Sequence, residues 1–200
     1  MTNSNIMHLV VYGPEGSGKG TQAKLLGESL ELPVYTTGDL VREAASNDKG
    51  EIGIRAQKVL LEGKYLPDED VCSLLRSKLE GCDAIKGFVL DGFPRTLGQA
   101  HFLMEVLAKN DLKLDKLVYL KLSTVESVNR LLKRKRKVFG SSNILHDDPK
   151  RVKQRLSIYH KEEKDILQFF KSKDLLLEID GNQPIEKVFT DILKGLKVDA

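Results

Sequence analysis

Cysteine is scarce in this chain. Cys72 and Cys82 are the only two, they form no CxxC pair, and no His/Cys array has metal-ligand spacing. They read as two reduced thiols in or beside a helix, and neither a disulfide framework nor a zinc site is expected. Long hydrophobic runs are missing as well. None approaches the roughly 20 apolar residues needed to cross a bilayer. The opening MTNSNIM has neither the basic n-region nor the long apolar h-region of a signal peptide. A soluble, cytoplasmic protein without a membrane partner is therefore expected. An excess of one charge is also lacking, since 32 Lys and Arg stand against 29 Asp and Glu. The resulting net charge of +3 predicts no nucleic-acid partner. Internal repeats and low-complexity segments are absent.

What remains is a 200-residue chain of ordinary globular composition, long enough for one α/β domain with small insertions. Short β-rich runs at 7–12, 34–36, 87–90, 117–122 and 175–179 alternate with longer helical patterns. That alternation predicts a parallel sheet covered by helices. Most of the runs are apolar on both faces, as buried parallel strands are. Ala100, Leu103, Met104, Leu107 and Ala108 have helical i, i+3, i+4 spacing, and so do Ile185, Val188, Phe189, Ile192 and Leu196. Pro67 followed by Asp68, Glu69 and Asp70 predicts a helix with proline at its first position. Ser123 and Glu126 have capping-box spacing. Residues 38–66 are almost wholly helical where one crossover helix would suffice, which suggests a small inserted module. Residues 135–150 are polar and basic, and read as a flap between two helices.

The first strand runs into GPEGSGKGTQ, residues 13–22, and then into a helix. Gly13, Gly18 and Lys19 have P-loop spacing. A polyphosphate must approach the backbone closely enough to accept several N–H bonds, which demands residues without Cβ bulk. The helix N-terminus adds partial positive charge and Lys19 a full one. The strict motif has Ser or Thr after the lysine. Here Gly20 stands there and the hydroxyl comes at Thr21, so a magnesium ion would be held through water.

With this loop, the chain resembles the adenylate kinase family over essentially its whole length. The resemblance implies a P-loop kinase fold: a five-stranded parallel sheet with helices on both faces. It also implies a core of residues 1–36, 67–130 and 157–200, an AMP-binding insertion at 37–66 and a short lid at 131–156. GKGTQ is the family's form of the loop, and it assigns ATP to Gly13, Pro14, Glu15, Gly16, Ser17, Gly18, Lys19, Gly20 and Thr21. TTGDLVR, residues 36–42, is similar to the monophosphate-binding stretch. There the position of Thr37 faces the AMP base, Gly38 adjoins it and Arg42 grips the AMP phosphate. EGKYLPDE, residues 62–69, is similar to the segment over the AMP base and ribose, with Gly63, Lys64 and Leu66 in contact. In LDGFPRTLGQA, residues 90–100, the resemblance has Asp91 orient water around Mg²⁺. It has Arg95, beside Gly92, bind the AMP phosphate, and Gln99 read the adenine edge. Asp39 matches a second acidic position near the metal's water shell. RLLKR, residues 130–134, and Arg155 resemble the arginines around the transferring phosphate. DGNQP, residues 180–184, with Gln183, matches the stretch beside the ATP adenine. Lys19, Asp91, Arg95, Arg130, Arg134 and Arg155 are thus the implied catalytic set. The implied substrates are ATP, AMP and ADP, with Mg²⁺ as cofactor and a monomer as the working unit.

The chemistry of these residues agrees. Phosphoryl transfer needs alignment and charge neutralisation more than covalent help, and arginine binds phosphate oxygens in a bidentate way. The acceptor phosphate is already anionic, so no general base is required. His8, His101, His146 and His160 need no catalytic role. In the lid, family members carry an arginine shortly before an Asp-Asp pair. The pair here is Asp147-Asp148, but Ile144, Leu145 and His146 precede it. Arg136, Lys137, Lys150 and Arg151 remain open as substitutes. The run KRKRK, residues 133–137, could be a nucleic-acid or nuclear-localisation patch. Arg134 in family register and the lack of interleaved aromatics favour phosphate chemistry. A UMP or CMP kinase of the same fold is the nearest alternative, and Thr37 and Gln99 argue for adenine. A GTPase would need an NKxD motif, which is absent. A catalytically weakened nucleotide-binding regulatory module is the remaining alternative.

Overall fold

Five strands and eight helices alternate in the computed structural model, which describes residues 6–80, 86–134 and 148–198. Cys82 and most of the predicted flap, residues 135–147, lie outside the described residues. So do Arg136, Lys137, His146 and Asp147. The strands are β1 (His8–Tyr12), β2 (Val34–Thr36), β3 (Phe88–Asp91), β4 (Lys116–Lys121) and β5 (Leu176–Asp180). They form one sheet in the order β2-β3-β1-β4-β5, and every pairing is parallel. The predicted runs differ from these by about one residue at their ends.

Because side chains alternate along a strand, β1 supplies both layers. Leu9 and Val11 face a core completed by Ala23 and Leu26 of α1 (Lys19–Leu30) and by Val188, Ile192 and Leu196 of α8 (Ile185–Leu196). Val10 and Tyr12 face the other core. There they meet α2 (Thr37–Asn47), α4 (Asp68–Leu79), α5 (Leu97–Lys109) and α7 (Pro149–Lys171), through Leu40, Leu75, Leu103 and Phe170 among others. Each fully buried aliphatic or aromatic side chain contributes on the order of 1.5–3 kcal/mol. The central strand is apolar on both faces because both faces are covered.

The helical register holds along most of α5 and α8, with Ala100, Leu103 and Leu107 buried in the former. Ile185 departs from it, because at the first position of α8 it is 51% exposed. Pro67 is the N-cap residue of α4, and Asp68 takes the first helical position, one residue later than predicted. Ser123 caps α6 (Thr124–Arg134) by accepting from the Glu126 N–H. The Glu126 carboxylate does not return the bond and accepts instead from Arg130.

The predicted insertion is a helix pair, α2 and α3 (Glu51–Glu62), joined by a short turn. Asp48 organises the turn by accepting from the N–H groups of Gly50 and Gly53. The predicted lid boundary at 156 falls inside α7, whose 23 residues start at Pro149 under an Asp148 cap.

Close approach in the helix pair depends on Gly53, where a Cβ would stand 1.9 Å from the Asp48 carbonyl oxygen. Gly53→Ala is expected to destabilise the protein by about 1–3 kcal/mol, measurable by denaturant unfolding. A neutral result would mean that the α2–α3 turn is not rigid.

Candidate functional site

β1 delivers the chain to a turn in which the Ser17 N–H donates to the Pro14 carbonyl at 3.1 Å. Gly13 fits against β4 only because it has no side chain, since a Cβ there would lie 2.6 Å from the Leu120 carbonyl oxygen. Gly18, at φ 91°, is the N-cap of α1. The loop therefore presents a helix N-terminus with its unpaired N–H groups, an environment that favours an anion. The Ser17 hydroxyl is buried and has no hydrogen-bond partner among the described residues.

Lys19 lies over this loop, and its ammonium donates to the Pro14 carbonyl at 2.9 Å. Burial pulls its pKa below the ordinary 10.5. The carboxylates of Asp91 and Glu15 oppose that shift, and the charges of Arg95 and Arg134 add to it. Asp91, at the end of β3, faces the other side of the loop. Its Oδ2 lies 3.2 Å from where a Gly20 Cβ would be. The residue that departs from the strict P-loop motif thus leaves room beside a carboxylate. Among the described residues no group of three or more His, Cys, Asp or Glu could hold a metal ion by itself.

A second wall comes from the start of α2 and the loop after β3. Thr37 is buried, and its hydroxyl donates to the Gly92 carbonyl at 2.7 Å. Gly92 could not carry a side chain, because a Cβ would be 2.5 Å from that same hydroxyl. Arg42 packs over Gly38 and pairs with Asp39 at 2.5 Å, and Asp39 also accepts from the Thr36 hydroxyl. Arg95 donates from Nε to the Gly92 carbonyl at 2.8 Å and reaches the Thr37 hydroxyl at 3.5 Å. Gln99 is buried in the first turn of α5.

The arginines of α6 and α7 close the site. Arg130 donates to the Gly181 carbonyl at 3.1 Å and to Asn182 Oδ1 at 3.3 Å, which ties α6 to the turn after β5. Arg155, only 3% exposed, pairs with Glu15 Oε2 at 2.8 Å. A buried guanidinium is tolerated when it is paired in this way.

These walls enclose one cleft of about 630 Å³. Of the residues singled out in the sequence, Glu15, Gly16, Gly18, Lys19, Gly20 and Thr21 line it from the loop. Thr37, Gly38, Asp39, Arg42, Gly63, Lys64, Leu66, Asp91, Gly92, Arg95 and Gln99 line it opposite, and Arg130, Arg134 and Arg155 line it from α6 and α7. Gly13 opens on a smaller recess of about 60 Å³ next to it. Pro14 and Ser17 sit within the turn. Gln183 stands apart from the cleft wall, bonded to the Asp180 carbonyl and to Asp191. Lys64 pairs with Glu62 at 2.8 Å.

Tyr65 and Asp68 line the cleft without having been named as site residues. The Tyr65 ring lies 4.2 Å from the Arg95 guanidinium and its hydroxyl donates to Glu15 Oε1 at 3.2 Å. Burial pushes that hydroxyl's pKa up to about 12. An aromatic residue inside EGKYLPDE was the available signal, because cations stack on such rings. Arg151, a candidate for the missing lid arginine, points elsewhere. It donates to the Leu61 carbonyl at 3.2 Å and packs on Gly63, so it caps the C-terminus of α3.

A family model described as adenylate kinase matches residues 11–175. The chain belongs to the adenylate kinase family. It is 33% identical to the adenylate kinase of Methanocella arvoryzae, with 96% of this chain and 99% of the relative covered. It is 36% identical to that of Pseudarthrobacter chlorophenolicus, with 94% and 96% covered. The adenylate kinase of Corynebacterium urealyticum is 38% identical over 88% of this chain and 92% of its own. The chain is thus an enzyme of the nucleoside monophosphate kinase class, built on that family's P-loop fold.

Lys19 gives a titration test of the site. In the window between its lowered folded value and 10.5, the unfolded chain holds a proton that the folded chain has released. The contribution of Lys19 to stability therefore rises with pH across that window. Unfolding free energies of the wild type and Lys19→Met, compared at increasing pH, are expected to diverge in favour of the wild type. A constant difference up to pH 10.5 would contradict the burial of this charge.

Proposed function

We propose that the enzyme transfers the γ-phosphoryl group of ATP to AMP, reversibly, giving two ADP. The observation that carries this is the single cleft joining the phosphate loop to the Thr37–Arg42–Gln99 wall, with Arg95 acting on both. Two anionic substrates can meet there, each with its own cations.

In this reading, the loop N–H groups and Lys19 hold the β- and γ-phosphates of ATP, and Arg130 borders its adenine side through the turn at Gly181. Arg42 and Arg95 hold the phosphate of AMP, and Gln99 reads its base. An oxygen of that phosphate attacks the γ-phosphorus, the bond to the β–γ bridging oxygen breaks, and the electron pair leaves with ADP. The attacking oxygen is already anionic, so no base removes a proton. Arg95, Arg134 and Arg155 neutralise charge that spreads over the transferring group. Tyr65, stacked on Arg95, keeps that guanidinium from turning away.

Magnesium fits the donor chemistry, since the Asp91 carboxylate faces the loop beside Gly20 and no set of softer ligands competes among the described residues. Asp91 and Asp39 would hold the ion through its waters, and when bound it supplies positive charge to the phosphate oxygens. The core of residues 1–36, 67–130 and 157–200, the AMP-binding insertion at 37–66 and the lid at 131–156 form the working parts we propose. Closure of the two smaller parts would exclude water, which would otherwise compete as the acceptor.

Steady-state kinetics with AMP, CMP, UMP and GMP as separate acceptors is expected to show clear preference for AMP. Arg95→Ala should lower kcat by roughly 100-fold or more. Arg151→Ala, which frees the end of α3, should leave kcat within about threefold. Equal losses in the two variants would instead make Arg151 the phosphate-binding replacement for the absent lid arginine.

A further inference from the structure

The Gln99 side chain is 3% exposed, and its amide makes two hydrogen bonds of opposite sense. Oε1 accepts from the Arg95 backbone N–H at 2.8 Å, and Nε2 donates to Asp68 Oδ1 at 2.7 Å. A backbone N–H can only donate and an ionised carboxylate can only accept. Turning the amide by 180° would set N–H against N–H and oxygen against carboxylate. Two bonds would become two repulsions.

Asp68 is itself held. It is the first residue of α4, and its second oxygen accepts from the Thr96 hydroxyl. Thr96 is the N-cap of α5, and its oxygen accepts from the Gln99 N–H at 3.2 Å. A closed ring of bonds thus runs through Thr96, Gln99 and Asp68, and both Gln99 and Asp68 line the cleft.

A primary amide has two N–H groups and two acceptor positions. One of each is used inside the ring, which leaves one donor and one acceptor in fixed order. The six-membered edge of a 6-aminopurine offers an acceptor, N1, beside a donor, the 6-amino group. A 6-oxopurine offers the reverse, a donor at N1–H beside an acceptor at O6. An amide free to flip would serve both edges, whereas a locked amide serves one.

We propose that Asp68 is a specificity-determining positioning residue that locks the Gln99 amide, so that the acceptor site takes a 6-aminopurine monophosphate and rejects its 6-oxo counterpart. The inference rests on the proposed function, in which Gln99 faces the acceptor base.

AMP and IMP are the probes, since they differ only at this edge. kcat/KM would be measured for each with saturating Mg·ATP, in the wild type, Asp68→Asn and Asp68→Ala, together with the KM for ATP. In Asp68→Asn the new amide can either donate or accept, so of the two fixed partners of the Gln99 amide the Arg95 N–H alone remains and the lock is weakened. The AMP-to-IMP ratio is expected to fall by roughly tenfold, the scale of one hydrogen bond traded for a mismatch. The KM for ATP should hold. Asp68→Ala should relax the ratio in the same direction. An unchanged ratio in both variants, or an equal loss with both acceptors, would overturn the proposal and make Asp68 merely structural. A wild type that phosphorylates neither AMP nor IMP would instead overturn the underlying function.

Discussion

Arg155 is buried and Lys19 half-buried beside the phosphate loop, and the surrounding structure answers to the cost of keeping two cations there. Glu15 pairs with Arg155 and, together with Asp91, opposes the loss of charge on Lys19. Neither carboxylate fully offsets it, because the net effect of burial on Lys19 is still to weaken its hold on a proton. In the function we propose, a polyanion in the cleft would supply what is missing. Binding and preorganisation would then be one property: Arg155 is already paired and buried before substrate arrives, which would lower the reorganisation needed during transfer.

The rigid parts explain how such a site is kept. β1 is buried along its full length between two layers, and it ends at the turn that carries the loop. β3, its neighbour, ends at Asp91 and leads to Arg95. Two adjacent parallel strands therefore deliver the loop and the Gly92–Arg95 wall to the same edge of the sheet, as open α/β sheets do at their carboxyl ends. α7 serves two partners from one face, since residues four apart on a helix point the same way. Arg155 reaches Glu15 in the loop and Arg151 reaches the end of α3.

The strands and the loop were legible in the sequence because each is a local pattern, an apolar run or a glycine spacing. The arginines came through the family resemblance, and the structure brings them to one cleft. The contacts that were not legible join distant segments. Asp68 and Gln99 are 31 residues apart, and nothing in either local sequence says that α4 starts where α5 starts. Asp68 read as an acid complementing a helix dipole, which its position at the first turn of α4 also satisfies. Tyr65 stacks on an arginine of another segment, and Arg151 caps a helix 90 residues away. Ile185 had the right helical spacing, yet periodicity cannot say whether a first turn is covered.

A cation-lined cleft that carries a buried Arg155 beside its phosphate loop is proposed to pass phosphate to a nucleotide and not to water. A nucleotide balance tests this most directly: ATP, AMP, ADP and inorganic phosphate followed together by chromatography during a single reaction with magnesium present. Two ADP are expected for each AMP consumed, with no phosphate released. Phosphate appearing in step with ATP loss while AMP stays constant would contradict it.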